Sequence, residues 1–399
     1  MRNSIAALFF LFILVFCAVQ PMVAQSDSSV LKKKNKLKLS AVRINYQNGH
    51  IFGTNEFLRG SNAVLDTLND FQSISLEYVR QTNGNKLWEQ LYGYPEWGGG
   101  LSVFDFFNAI EIGTPIVIYG FFNAPFKRWN RLSFNYKLGF GVSFNWKPFD
   151  PITNKYNVSI GSGRAFYIDA GVNINYRIVK RFEIGGGIAL THFSNGALKK
   201  PNKGINTIAP EIRIKYNFYD KVEYKEQNVP EYLNENEFAF SIFAGAKNLV
   251  FDSIDVDLIE KYEGVNYYIF GISGLYNKQI SYKSKFGIGL SVSYNGSLDA
   301  QVSIENNELE AEDSPFMEKL QMSIYPSYEL VIHKLSVSLQ PAFYLYRKTI
   351  DDQTPVFHQR LGVKYHFTDQ FYASVVLRAY SFYISDFVEW HVGYRIKWQ

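Results

Sequence analysis

From Leu132 to Trp146 the chain alternates without a break. Leu132, Phe134, Tyr136, Leu138, Phe140, Val142, Phe144 and Trp146 are interleaved with Ser133, Asn135, Lys137, Gly139, Gly141, Ser143 and Asn145. Successive side chains of a strand point to opposite faces, so this stretch is a strand with one apolar face and one small or polar face. Residues 165–178 repeat the pattern, with Phe166, Ile168, Ala170, Val172, Ile174, Tyr176 and Ile178 set against Tyr167, Asp169, Gly171, Asn173, Asn175 and Arg177. A soluble sandwich has no use for rows this long, whereas a tilted strand crossing a bilayer needs about ten residues.

Composition supports a barrel over the other membrane architecture. Aromatic residues make up 17% of the chain, and beyond the N-terminal segment no apolar run is long enough for a spanning helix. The net charge of +4 is small and dispersed, which argues against a nucleic-acid partner. Residues 1–24 read as a signal peptide: Arg2 supplies the charged end, Ile5 to Val19 the apolar core, and Val23-Ala24 a cleavage site of small residues. Phe16 before Cys17 is too large for a lipoprotein signal. Cys17, the sole cysteine, leaves with the peptide, so the mature chain has no disulfide chemistry.

Alternating segments are expected near 38–48, 72–82, 98–108, 110–121, 131–146, 164–178, 181–194 and 206–219. After a charged, aperiodic linker at 221–236, a second set follows near 237–248, 264–276, 281–294, 319–332, 334–346, 356–367, 370–381 and 384–398. The fold class is therefore all-β, a transmembrane antiparallel β-barrel. Two tandem eight-stranded barrels, 37–220 and 237–399, are favoured over one sixteen-stranded barrel, because the linker is long for a periplasmic turn and inward glycines suit a narrow filled interior. The halves read as a duplication: Ala189-Leu-Thr-His-Phe-Ser lies beside Val376-Leu-Arg-Ala-Tyr-Ser, so His192 corresponds to Ala379, while Ser381 keeps the hydroxyl. Without its base, the second copy is expected to be non-catalytic.

The chemistry gathers at 181–218. Phe182, Ile184, Ile188 and Leu190 share one face, and the same parity reaches His192 and Ser194, roughly 7 Å apart at Cα. On the next strand Ile208, Ile212, Ile214, Tyr216 and Phe218 form the apolar row, and Asn206 shares it; Glu211 has the opposite parity. If the apolar rows face lipid, a base, a hydroxyl and an amide lie on the outside of a membrane barrel, where polar groups are costly and point to function.

His192-Phe-Ser194-Asn195, followed by Pro201-Asn202-Lys-Gly204-Ile-Asn206, resembles the signature of the PagL-type lipid A 3-O-deacylases, also described as acyloxyacyl hydrolases. The resemblance runs through the first half, including LWEQLYGYP at 87–95. It implies a serine hydrolase that removes an ester-linked acyl chain from lipid A, with lipopolysaccharide as partner and the outer membrane of a Gram-negative bacterium as location. Ser194 would be the nucleophile and His192 the general base. The family places a glutamate as the third member; here that position is Asn206, which lies on the right face to orient the imidazole. The resemblance also points to Asn202, with backbone N–H groups near Asn195 and Gly196, as oxyanion donors, and Gly204 as a turn residue that lets the loop come close to lipid. Lys199, Lys200 and Lys203 are candidate contacts for the lipid A phosphates, or else an ordinary loop surface. A hydrolase of this kind needs no cofactor, and His50, His333, His358, His366 and His391 are too scattered for a metal site. The alternatives are a non-enzymatic barrel (a porin, a structural barrel or a decayed deacylase) and an esterase directed at phospholipids.

Overall fold

The alternation becomes sixteen strands in two closed antiparallel barrels, β1–β8 and β9–β16. The structure is a computed structural model, and it describes residues 39–220, 222, 224, 228–249, 256–310, 313–350, 355–380 and 384–399. The expected signal peptide, Cys17 and Ser381 lie outside the described residues.

The first barrel comprises β1 (Ser40–Ile51), β2 (Asp70–Gln81), β3 (Glu96–Asp105), β4 (Gly113–Arg128), β5 (Leu132–Trp146), β6 (Arg164–Arg177), β7 (Phe182–Ser194) and β8 (Ile205–Asn217). It closes where β1 pairs with β8. The second comprises β9 (Glu235–Lys247), β10 (Tyr267–Gln279), β11 (Ser284–Asn295), β12 (Leu320–Ile332), β13 (Leu335–Tyr346), β14 (Phe357–His366), β15 (Phe371–Tyr380) and β16 (Ile384–Trp398), and closes where β16 pairs with β9. Among the described residues three short helices sit in connections: α1 (Leu87–Leu91), α2 (Val256–Tyr262) and α3 (Leu298–Asn306). No described helix is long and apolar enough to cross a membrane. By compactness, one unit takes residues up to Asn195 with Lys203–Pro230, and the other takes Gly196–Asn202 with Glu231–Gln399.

Each barrel turns its apolar rows outward. Leu76, Leu101, Ile118, Ile188, Ile212 and Ile214 are all exposed in the middle of the first barrel's wall, and Tyr78, Trp97, Phe182 and Phe218 ring its short-turn end. This is the apolar band and aromatic girdle of a barrel that faces lipid. Four connections, 52–69, 106–112, 147–163 and 195–204, lie at the opposite end, the one β7 reaches with His192 and Ser194.

Inside, charge is paired with charge. Arg43 donates from Nη1 to Glu96 at 2.9 Å, and Lys137 bridges Glu77 at 2.7 Å and Asp169 at 3.5 Å. Arg213 meets Glu211 at 2.7 Å, and Arg177 meets Glu183 at 3.0 Å. Lys215 bridges Glu183 and Glu96. A charge in so narrow a space is tolerated only when partnered, because its hydration is lost. Glycine makes the room: a Cβ on Gly100 or on Gly141 would fall 2.6 Å from Tyr119, whose hydroxyl donates to Glu77 at 2.7 Å. Above the ion pairs, beneath the four loops, Phe104, Phe106, Trp146, Tyr167 and Phe193 form an aromatic cluster.

Candidate functional site

The outer wall of the first barrel gathers the polar side chains. β7 alternates strictly from Phe182, so His192 falls on the outward row and Phe193 on the inward one. Phe193 is fully buried, its ring 5.0 Å from both Phe104 and Trp146. That anchor fixes the end of β7, since a one-residue slip would drive an aromatic ring out of its cluster.

Opposite His192 in the β7–β8 register stands Asn206. Their side chains meet: His192 Nδ1 lies 2.7 Å from Asn206 Oδ1. An amide oxygen only accepts, so this contact requires a proton on Nδ1 and leaves Nε2 as the basic nitrogen of a neutral ring. Glu211 is in the lumen, paired with Arg213 and accepting from Gln47 Nε2 at 3.1 Å, and so takes no part in orienting His192.

Ser194 closes β7 opposite Phe166. Gly204 lies beside both the imidazole and Ser194. It holds φ +70°, and a Cβ there would lie 3.0 Å from His192 Cε1 and 3.6 Å from Ser194 Cβ. A side chain at 204 would therefore be strained by its backbone and pressed against the imidazole, which is why glycine occupies the position. Ser194 and Asn195 are buried, and His192 is half-buried.

The lysines differ from one another. Lys203 pairs with Glu56 at 2.6 Å on an exposed surface, so its charge is already balanced by a loop carboxylate. Gly196, Lys199, Lys200 and Asn202 fall in the stretch that groups with the other unit. Gly196 holds φ +66°, a backbone conformation that suits glycine. The roles of these four in oxyanion or phosphate binding rest on the sequence alone.

Two residues that the sequence did not single out hold the site loop. Asn55, 1% exposed, donates from Nδ2 to Gly204 O at 3.3 Å and to Ser159 Oγ at 3.0 Å. Gly204 N donates to Ser159 O at 2.9 Å, and Phe52 N donates to Asn206 O at 2.9 Å. Both lie in loops remote in sequence from the motif, and an Asn or Ser in a polar loop carries no mark of its partner.

Comparison with known proteins places both halves. Residues 72–215 match the family model for lipid A 3-O-deacylase (PagL), and residues 236–398 match the model for the acyloxyacyl hydrolase C-terminal domain. No curated protein matches the chain. Among solved structures, the outer membrane enzyme PagL shares 15% identity, covering 43% of this chain and 97% of its own, with a TM-score of 0.28. A mutant porin of Rh. blastica shares 11% identity over 90% of this chain and 99% of its own, with a TM-score of 0.19. Scores this low add nothing to the reading of the site, which rests on the family models and the local geometry.

Proposed function

Given that the chain belongs to the PagL-type family of outer-membrane lipid A deacylases, we propose that its first barrel hydrolyses an acyl ester of lipid A in the outer leaflet through Ser194, His192 and Asn206. The observation that carries this reading is the 2.7 Å contact between His192 Nδ1 and Asn206 Oδ1 on a lipid-facing row. Structural polar residues of a barrel belong in its lumen or its loops; a base and an amide bonded to each other on the outer wall have no packing reason to be there.

The chemistry follows from the tautomer. Nε2 of His192 takes the proton from Ser194 as Oγ attacks the ester carbonyl, then returns it to the departing alkoxide, leaving an acyl-serine for water to cleave. Asn206 holds the ring in place but stabilises the imidazolium less than a carboxylate would. The tetrahedral oxyanion falls to Asn202 and the backbone N–H groups near Asn195 and Gly196, as the family resemblance implies. The outer-leaflet assignment is supported by the connections: the site lies at the end carrying 52–69, 106–112, 147–163 and 195–204, whereas the other end has two tight turns, 129–131 and 178–181, beside the single longer connection 82–95, and outer-membrane barrels keep their short turns in the periplasm. The first barrel is then the catalytic domain, after a cleaved signal peptide, and the second a non-catalytic partner domain joined through 221–236.

The test is mass spectrometry of lipid A from outer membranes carrying the wild-type chain or Ser194→Ala. Loss of one acyl group in the wild type alone is expected. Identical lipid A spectra, with both proteins inserted, would overturn the assignment; acyl loss from glycerophospholipids instead would move the substrate and keep the residues.

A further inference from the structure

We propose that Asn55 and Ser159 are positioning residues for the hydrolytic step, a clasp between two loops that holds Gly204 against the imidazole and so sets where His192 Nε2 points. This rests on the reading of His192 as general base.

The clasp is a closed set of hydrogen bonds. Asn55 Nδ2 donates to Gly204 O at 3.3 Å and to Ser159 Oγ at 3.0 Å, while its Oδ1 accepts from Leu58 N at 3.2 Å and lies 3.2 Å from Ser159 Oγ. Ser159 in turn accepts at its carbonyl from Gly204 N at 2.9 Å, and Val158 O accepts from Lys203 N at 3.0 Å. Both bonding groups of the Gly204 backbone are thus held by one buried pair, Asn55 at 1% and Ser159 at 0% exposure. Ser159 is placed by Asn157 Oδ1, which accepts from its N–H at 3.2 Å; Asn157 is itself tied to Glu111 O and Lys147 O.

The consequence for the ring is geometric. Asn206 holds Nδ1, and Gly204 lies beside Cε1, the carbon between the two nitrogens, so close that a Cβ there would fall 3.0 Å from it. With Nδ1 bonded and the Cε1 side bounded, rotation of the imidazole is restricted, and by the proposal this keeps Nε2 available on the outward row that Ser194 shares. Phe52 N, at the root of the Asn55 loop, pins the Asn206 carbonyl as well. Release of the clasp frees Gly204 and lets the ring turn away from the nucleophile while leaving the strands paired. A misplacement of about 1 Å can cost roughly 10²-fold in rate.

The same loop contains its own control. Asn62 is equally buried and bonds only within 52–69, donating to Phe57 O at 2.9 Å and Asp66 O at 2.7 Å. Asn55→Ala, Ser159→Ala and Asn62→Ala in the detergent-solubilised full chain would be compared by kcat and KM on lipid A micelles. Thermal midpoint, and the His192 tautomer read by nitrogen NMR of ¹⁵N-histidine-labelled protein assigned against His192→Gln, would be measured alongside. The clasp predicts that Asn55→Ala lowers kcat about 10²-fold with KM held within about twofold. Ser159→Ala, which deletes only one hydroxyl and serves if Asn55→Ala does not fold, moves the same way. In both, His192 populates both neutral tautomers instead of one. Asn62→Ala lowers the thermal midpoint and leaves kcat and tautomer at wild-type values. Wild-type kcat with a single tautomer in the clasp variants, or an Asn62→Ala loss equal to theirs, would overturn the proposal. If the wild-type chain hydrolyses nothing, the general-base reading fails, and the tautomer measurement still decides whether the clasp orients the ring.

Discussion

The two barrels each contain a histidine bonded to a neighbouring polar side chain, and they differ in which side of the wall it occupies. In the first, His192 meets Asn206 on the outward row beside Ser194. In the second, His391 lies in the lumen, its Nδ1 3.0 Å from Ser241 Oγ and its Nε2 2.9 Å from Glu389. By residue type the inner set looks the more complete triad, with serine, histidine and a carboxylate. Yet Glu389 is also bound by Arg360 at 2.7 Å, all members are buried, and the inward row of a narrow barrel meets no acyl chain. At the place matching His192 and Asn206, the second barrel pairs Ala379 with Ser385. In a membrane barrel the surroundings of a side chain are decided by parity: one residue's shift moves a lipid-facing row into the lumen.

Exchange of the serines should give the largest contrast. Ser194→Ala is expected to lower deacylation about 10⁴- to 10⁶-fold, as removal of a serine nucleophile does, while Ser241→Ala leaves the initial rate on lipid A unchanged; a loss of activity in Ser241→Ala would break the comparison outright. Next come the ion pairs, where the barrels should behave alike. Glu77→Ala leaves Arg43 with Glu96 alone and Lys137 with Asp169 alone, and Glu389→Ala takes its carboxylate from Arg360; each should cost up to about 3–5 kcal/mol of stability, read as a lower urea midpoint of the detergent-solubilised protein. A much smaller cost in one barrel would mean that its lumen admits water.

The third contrast sets Asn206→Ala against Ser385→Ala. Loss of the imidazole's acceptor should lower kcat by about 10²-fold, and the matched change in the second barrel, which deletes only the hydroxyl that accepts from Asn202 Nδ2 at 3.4 Å, should lower it far less. The smallest effect is electrostatic. Partial burial pushes the Glu56 carboxyl up, but the hydrogen bond and charge of Lys203, a backbone hydrogen bond and the charge of Arg59 together outweigh it and hold the group below its ordinary value. A depressed carboxylate contributes stability above its unfolded pKa and loses it as pH falls through the folded one. Glu56→Gln should therefore cost about 0.5 kcal/mol at neutral pH, and the difference from wild type should vanish on acidification below the glutamate range. Asp299, held low by Lys319 despite burial, offers the matched pair in the second barrel.

Strand order and strand faces were legible in the residues because a lipid-facing barrel imposes a period of two, broken only locally by bulges such as those of β4 against β5. The segment expected at 164–178 is β6 at Arg164–Arg177, and that at 384–398 is β16. The weaker boundaries fell where two aromatic rows run together: the segment expected at 110–121 is β4, Gly113–Arg128, because its pairing with β5 carries on through a register shift at Pro125–Lys127, where the alternation breaks. The same parity put His192, Ser194 and Asn206 on one surface and Glu211 on the other, since a strand's faces follow from counting.

Tertiary structure alone decided the rest. Whether sixteen strands close as one ring or two depends on which edges pair, and only the β1–β8 and β9–β16 registers show it. Counting set His192 and Asn206 on the same side, but their 2.7 Å contact required the β7–β8 register, which the inward anchor of Phe193 fixes. Asn55 and Ser159 carry no local signal, because a loop asparagine bonding its own turn and one bonding a glycine far along the chain read identically. Periodicity reports the face of each residue; the partner across a loop is set by closure of the barrel, which brings together residues the chain keeps apart.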